Sequence, residues 1–127
     1  MLDIKKLDEI IELANKGVST NLKDAGVNGT LYWAYRESKE LGRDTIDFSD
    51  VVWDYDIEPI ITALRDADYL NFTISSKSSS LLDVLSKMTE LGCSLGGIVQ
   101  VKQRWKTYNY ETGEESYAYE PGMVINL

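Results

Sequence analysis

The chain has 127 residues, 43% of them hydrophobic, with 13 Lys and Arg against 21 Asp and Glu for a net charge of −8. That length suits a single domain over residues 1–127, and the negative surplus argues against general affinity for nucleic acid or an anionic membrane, which need local positive potential. The absence of histidine and the single cysteine, Cys93, exclude Ser-His-Asp and Cys-His catalysis, histidine-based zinc sites, an intrachain disulfide and a thiolate metal site within one chain.

The segment Asp3–Lys16 reads as an amphipathic helix, because Ile4, Leu7, Ile10, Ile11 and Ala14 fall at helical spacing and Gly17 can end it. Val18–Gly29 reads as loop. Thr30–Leu41 reads as a second helix with Leu31, Ala34, Tyr35, Ser38 and Leu41 on one face, although Tyr32, Trp33 and Tyr35 also suit a short strand at its start. Asp44–Glu58 is expected to be irregular, with a short turn over Ser49–Trp53. Asp56 then caps a helix to about Arg65, its core face formed by Ile57, Ile60, Ile61 and Leu64 and Pro59 in the first turn.

Tyr69–Ser75 alternates apolar Leu70, Phe72 and Ile74 with polar Asn71, Thr73 and Ser75, the pattern of a strand with one buried face. After a serine-rich loop, Ser80 and Asp83 form a candidate capping box for a helix over Leu81–Leu91, with Leu81, Leu85, Met88 and Leu91 as its stripe and Gly92 as its stop. A long strand over Gly97–Tyr110, a turn at Thr112-Gly113 and a return strand over Ser116–Leu127 complete the chain, with an edge bulge expected at Pro121-Gly122. The expected class is α+β: N-terminal helices, then a β-α-β-β unit in a mixed three- or four-stranded sheet, with helices mainly on one face.

Chemistry is most concentrated in the acidic stretch. Asp44, Asp47, Asp50, Asp54, Asp56 and Glu58 alternate with Phe48, Val51, Val52, Trp53 and Tyr55. Carboxylates at phosphate-like spacing can enter a basic groove on a partner protein with Trp53 and Tyr55 as anchors, so Asp44, Asp47, Asp50, Trp53, Asp54, Tyr55 and Asp56 are the candidate protein-binding residues. If extended, Asp54, Asp56 and Glu58 share a face and could hold a hard cation, but no glycine-marked calcium loop accompanies them. The plain alternative is a solvated loop in which Ser49 and Asp56 cap helices and Val52 and Trp53 fill the core.

A second candidate is the long strand. Lys102, Arg104 and Lys106 alternate on one face, continued by Tyr108 and Tyr110, while Val99, Val101 and Trp105 take the other. Such a basic and aromatic stripe suits a single-stranded nucleic acid, or is simply a polar outer face neutralised by Glu111, Glu114, Glu115 and Glu120. Ser75–Ser80 with Lys77 leads into a helix N-terminus and could hold an anion, without the glycines of a phosphate loop. Glu37-Ser38-Lys39 and Gln100-Val101-Lys102 match fragments of nuclease motifs but lack acids on a neighbouring strand. Cys93 reads as a buried small hydrophobe.

Val51-Val52-Trp53-Asp54, Phe72-Thr73-Ile74-Ser75-Ser76 and the run from Leu81 to Leu91-Gly92-Cys93 resemble small proteins of phages and integrative elements of Gram-positive bacteria, over roughly the last two-thirds of the chain. The resemblance implies a setting in which small acidic proteins bind and inhibit host factors, CRISPR nucleases among them. The expected role is therefore a non-enzymatic accessory protein that binds a host protein through its acidic surface; the alternative is a nucleic-acid-binding or processing module on the basic strand. No cofactor is expected, and monomer and homodimer stay open. Nothing in the opening Met1-Leu2-Asp3-Ile4-Lys5 reads as a secretory leader and no apolar run is long enough to span a bilayer, so a cytoplasmic location is expected.

Overall fold

The computed structural model describes residues 4–127. Helix α1 spans Ile4–Asn15, α2 Gly29–Glu40, β1 Asp47–Phe48, α3 Asp54–Asp66, β2 Asn71–Ile74, α4 Leu81–Glu90, β3 Ser94–Asn109 and β4 Glu114–Asn126. The expected first residue of α1, Asp3, and the side chain of Ile4 lie outside the described residues. No helix among the described residues is long and apolar enough to cross a membrane.

The four strands form one mixed sheet in the order β1-β2-β4-β3, β1 running parallel to β2 and the other neighbours antiparallel. The fold is α+β, with the expected β-α-β-β unit present as β2-α4-β3-β4. The main core lies between the helices and one sheet face, where Phe48, Phe72, Ile74 and Ile125 meet Ile57, Ile60, Leu64, Leu85 and Met88. These strand residues share a face because Phe48 pairs with Ile74 and Phe72 with Ile125. A smaller cluster packs Leu7, Ile10 and Ile11 of α1 against Val27 and Tyr32.

Several local expectations change. The stretch Asp44–Glu58 contains a strand, β1, whose two residues Asp47 and Phe48 are both buried. It was unreadable as one because strand propensity is weak at Asp and the pairing is supplied from β2. Helix α3 begins at Asp54, two residues before the expected cap, and Trp53 at its N-cap makes no side-chain bond. Asp54, Asp56 and Glu58 are therefore helical: Asp54 and Glu58, four residues apart, stay on one face, while Asp56 turns away from it and is buried, and Pro59 is the sixth residue of α3 rather than in its first turn. Ser80 makes no capping bond to α4; its hydroxyl lies 2.9 Å from that of Ser78.

Strand β2 is buried on both faces. Phe72 and Ile74 enter the core, Thr73 and Ser75 are covered from the other side, and Leu70, expected in the core, lies before the strand and is 82% exposed. Strand β4 runs unbroken through Pro121 and Gly122, which pair with Gln100 and Val99. The irregularities instead fall on β3, between Leu95 and Ile98 and between Lys102 and Lys106. Proline is tolerated in this inner strand because β2 pairs only with Met123–Asn126, so Pro121 has no ladder partner on that side to deprive.

Candidate functional site

The acidic segment is organised around Arg43. Gly42 (φ +66°) ends α2 in the left-handed conformation glycine favours, and the chain folds back so that Arg43 N–H donates to the Ser38 carbonyl. The Arg43 side chain is 4% exposed. Its Nε donates to the Lys102 carbonyl at 2.7 Å, Nη1 to Ser38 Oγ at 3.2 Å and Nη2 to Glu37 Oε1 at 3.0 Å, while Nη1 stands 3.9 Å from Asp47 Oδ2.

Asp47 is 1% exposed and accepts from Thr73 Oγ1 at 2.6 Å and Ser75 Oγ at 2.7 Å. Ser75 in turn accepts from Gln103 Nε2 at 3.1 Å, and Glu37 accepts from Ser49 Oγ at 2.7 Å. Burial pushes the Asp47 carboxyl above its ordinary range, outweighing the Thr73 and Ser75 hydroxyls and the Arg43 charge that pull it down. Among the described residues no buried side-chain nitrogen or oxygen lacks a partner. A cluster so fully satisfied fixes positions: it holds α2, β1, the end of β2 and the middle of β3 together.

Above this cluster a groove of about 820 Å³ runs between α2 and the connection Ser49–Trp53, with Arg104 of β3 at one wall. Trp33 and Trp53 line it and stand 59% and 55% exposed. The Arg36 guanidinium lies 5.3 Å from the Trp33 ring centre and its Nε donates to Glu40 at 2.9 Å. Arg104 Nη1 lies 3.7 Å from Glu37. With both arginines paired, Asp50, whose Oδ1 accepts from Val51 N–H at 2.8 Å and which has no ion-pair partner among the described residues, adds negative charge beside two large apolar rings.

The seven candidate protein-binding residues therefore do not form one surface. Asp50 and Trp53 line the groove, whereas Asp54 and Tyr55 line a second cleft of about 580 Å³ against Lys87, which pairs with Asp54 at 3.2 Å. Asp44 and Asp47 border a third cleft of about 380 Å³ on the sheet face away from the helices, beside Lys102 and Tyr119. Asp47 and Asp56 are buried and unavailable to a partner.

Asp56 ties two helix starts together. Its oxygens accept from Asn28 Nδ2 and Thr30 Oγ1, both at 2.8 Å, while Asn28 Oδ1 caps α2 at Leu31 N–H. Asp56→Ala leaves that amide and hydroxyl unpaired, so we expect a loss of about 1–3 kcal/mol in urea unfolding. Trp33, Arg36 and Glu40 were missed by sequence reasoning; the one signal was a tryptophan on α2 outside its apolar face.

The remaining candidates are placed as follows. Beyond β2, strands β3 and β4 continue as a two-stranded arm in which every residue from 104 to 117 is exposed. The irregularity between Lys102 and Lys106 breaks the expected continuous basic stripe, and Arg104 turns to Glu37. Lys102 and Lys106 both lie over the Tyr117 ring, at 4.3 and 5.0 Å, and Tyr108 meets Tyr110 edge to face at 4.9 Å. Val101 is buried, while Val99 and Trp105 are exposed.

Lys77 pairs with Glu120 at 2.9 Å, which neutralises the charge expected to draw an anion to the serine loop. Glu37 and Lys39 diverge, the lysine bonding Asp8 at 2.7 Å. The Cys93 thiol is buried and its pKa raised by that burial, although Arg65 Nη2 lies 3.7 Å from its sulfur. No group of three or more acidic or thiol side chains among the described residues is arranged to hold a metal ion.

No curated protein and no solved structure matches this chain. One family model does match, over residues 30–123, from the first turn of α2 to Met123 in β4. That span includes the Arg43 cluster, the tryptophan groove and the arm, and the chain belongs to the family described as a domain of unknown function (DUF7698).

Proposed function

We propose that this domain is a non-enzymatic binding module that takes a segment of a host protein into the groove between α2 and Ser49–Trp53. The observation that carries this reading is the pair of half-exposed tryptophans, Trp33 and Trp53, on the two walls of one groove. Tryptophan is the residue most enriched among side chains that dominate binding energy, and desolvating two of them at one site supplies a strong apolar anchor. Asp50 and the net charge of −8 favour a partner segment that carries a basic side chain beside its apolar anchor. The resemblance to small phage and mobile-element proteins supports a cytoplasmic setting and inhibition of the captured host factor as the outcome.

Neutralising the whole acidic stretch is not a clean test, since Asp47 and Asp56 are structural. The double variant Trp33→Ala, Trp53→Ala removes exposed rings only. In affinity purification from the host, with bound proteins quantified, we expect the partner's recovery to fall about 100-fold or more, since two anchors of about 2 kcal/mol each are lost. Unchanged recovery by the folded variant overturns the reading.

A second reading rests on Lys102 and Lys106 flanking Tyr117, an exposed cationic and aromatic face suited to a single nucleic-acid strand. The variant Lys102→Ala, Lys106→Ala separates the two: it keeps the protein partner under the first reading and loses salt-sensitive binding of a labelled oligonucleotide under the second.

A further inference from the structure

We infer that Glu37 Oε2 is the seat for an arginine or lysine side chain of the segment the groove takes, a role that rests on the groove being the binding surface and adds the atom that selects the partner's charge. Glu37 is clamped from below. Its Oε1 accepts from Arg43 Nη2 at 3.0 Å and from Ser49 Oγ at 2.7 Å, and the Arg43 side chain is itself buried. Its Oε2 meets only Arg104 Nη1, at 3.7 Å, beyond hydrogen-bond reach. Among the described residues every buried side-chain oxygen has a hydrogen-bond partner, so Oε2 is open to solvent. Glu37 and Arg104 both line the groove. A carboxylate with one oxygen fixed and the other open takes a charge-assisted hydrogen bond at little further cost in side-chain freedom.

The charge balance selects the occupant. Arg36 is spent on Glu40 and on the Trp33 ring. Arg43 offsets only one of its two carboxylates, Glu37 and Asp47, and Asp50 adds a further negative charge. Against that surplus stands Arg104, whose side chain is 77% exposed. So long and wet an ion pair contributes little, and an incoming cation partly dried by the tryptophans forms a shorter one. A phosphate or an acidic segment would instead face Glu37 and Asp50. Trp33 and Glu37 are four residues apart on α2 and therefore neighbours on one face, about 6 Å apart. The occupant is thus a linear segment of a protein that lays a large apolar side chain on Trp33 and an arginine or lysine on Glu37. The two stand two residues apart if the segment is extended and one turn apart if it is helical. Arg104 holds the seat in the chain alone and gives it up on capture.

The experiment selects binders for the wild-type chain from a displayed library of random linear peptides, then titrates a selected peptide against the wild type, Glu37→Gln and Arg104→Ala. Glu37→Gln keeps an acceptor oxygen for Arg43 and Ser49, which places the amide nitrogen where Oε2 was and turns an acceptor into a donor. The expected result is enrichment of peptides that pair an arginine or lysine with a large apolar residue. Affinity should fall about tenfold or more in Glu37→Gln and rise about two- to fivefold in Arg104→Ala, which loses only an exposed ion pair. Replacing the peptide's own cation by citrulline or acetyl-lysine should weaken binding to the wild type by a similar factor, and this arm leaves the protein untouched should Glu37→Gln fold poorly. Peptides that need Trp33 and Trp53 but carry no cation, or that bind the wild type equally well with their cation neutralised, overturn the inference and keep the groove. Undiminished binding to folded Glu37→Gln, or weaker binding to Arg104→Ala, does the same. No enriched peptide, or peptides indifferent to Trp33→Ala, Trp53→Ala, overturns the groove reading itself.

Discussion

Arg43→Met is expected to lower the unfolding free energy by about 3–5 kcal/mol, the cost of leaving buried charge without its partner. Among the described residues Arg43 is the one cation in contact with Asp47, and with it gone Glu37 keeps the Ser49 hydroxyl but, of its two arginines, only the longer contact to exposed Arg104. The methionine also returns no donor to the Lys102 carbonyl, so the middle of β3 loosens along with β1. Urea unfolding measures the loss. A double-mutant cycle with Asp47→Asn apportions it, because the two side chains share one polar cluster and their effects should not add.

The same cycle has a pH signature. Asp47 is raised in the native state, so the folded chain takes up this proton before the unfolded one does. Its contribution to stability therefore falls as pH rises from the ordinary carboxylate value of 3.8 through the elevated native value. Asp8 works in the opposite sense. Its hydrogen bonds to Lys39 and Tyr35 lower it, so its contribution is present above 3.8 and lost as pH falls below that value. The difference curve between wild type and Asp47→Asn isolates the buried group. In Arg43→Met the declining limb should extend to higher pH, since the one cation lowering Asp47 is gone.

Phe72→Ala is expected to cost a further about 3–5 kcal/mol by itself, the range for emptying a fully buried aromatic site. Phe72 is 0% exposed, pairs in register with Ile125 and meets Phe48 edge to face at 5.5 Å. It stands where the parallel β1–β2 pair joins the antiparallel β2–β4 pair, so the cavity opens between both. Against a total stability of about 5–15 kcal/mol for a domain of this size, that loss should bring the thermal midpoint down by well over ten degrees, readable by circular dichroism. Phe72→Leu keeps most of the volume and should retain most of the stability.

What the sequence disclosed follows from how local each cause is. Helices α1, α2 and α4 were legible because their apolar spacing repeats over three turns, and the β3–β4 hairpin because the turn at Gly113 lies between two alternating runs. Strand β1 was hidden because its two residues include an aspartate that Arg43, Thr73 and Ser75 make tolerable, and those partners come from two other segments, the chain after α2 and the end of β2. Asp56 looked like a cap because its type and position suit one, but its hydrogen bonds cross to Asn28 and Thr30 on α2. For the candidate site, Asp50 and Trp53 were readable as an acidic and aromatic pair. Trp33 became part of it only once α2 was known to lie along Ser49–Trp53.

The placement of the aromatic residues also decides what light can report about this molecule. All three tryptophans, Trp33, Trp53 and Trp105, are about half exposed, and none belongs to either apolar core. Native emission should therefore already sit at the long wavelengths of a wet indole, and unfolding should shift it little, so denaturation is better followed by the backbone signal. Filling the groove would dry two of the three indoles at once and shift emission to the blue. The chain thus carries its own optical probe, sensitive to occupancy and nearly silent to stability.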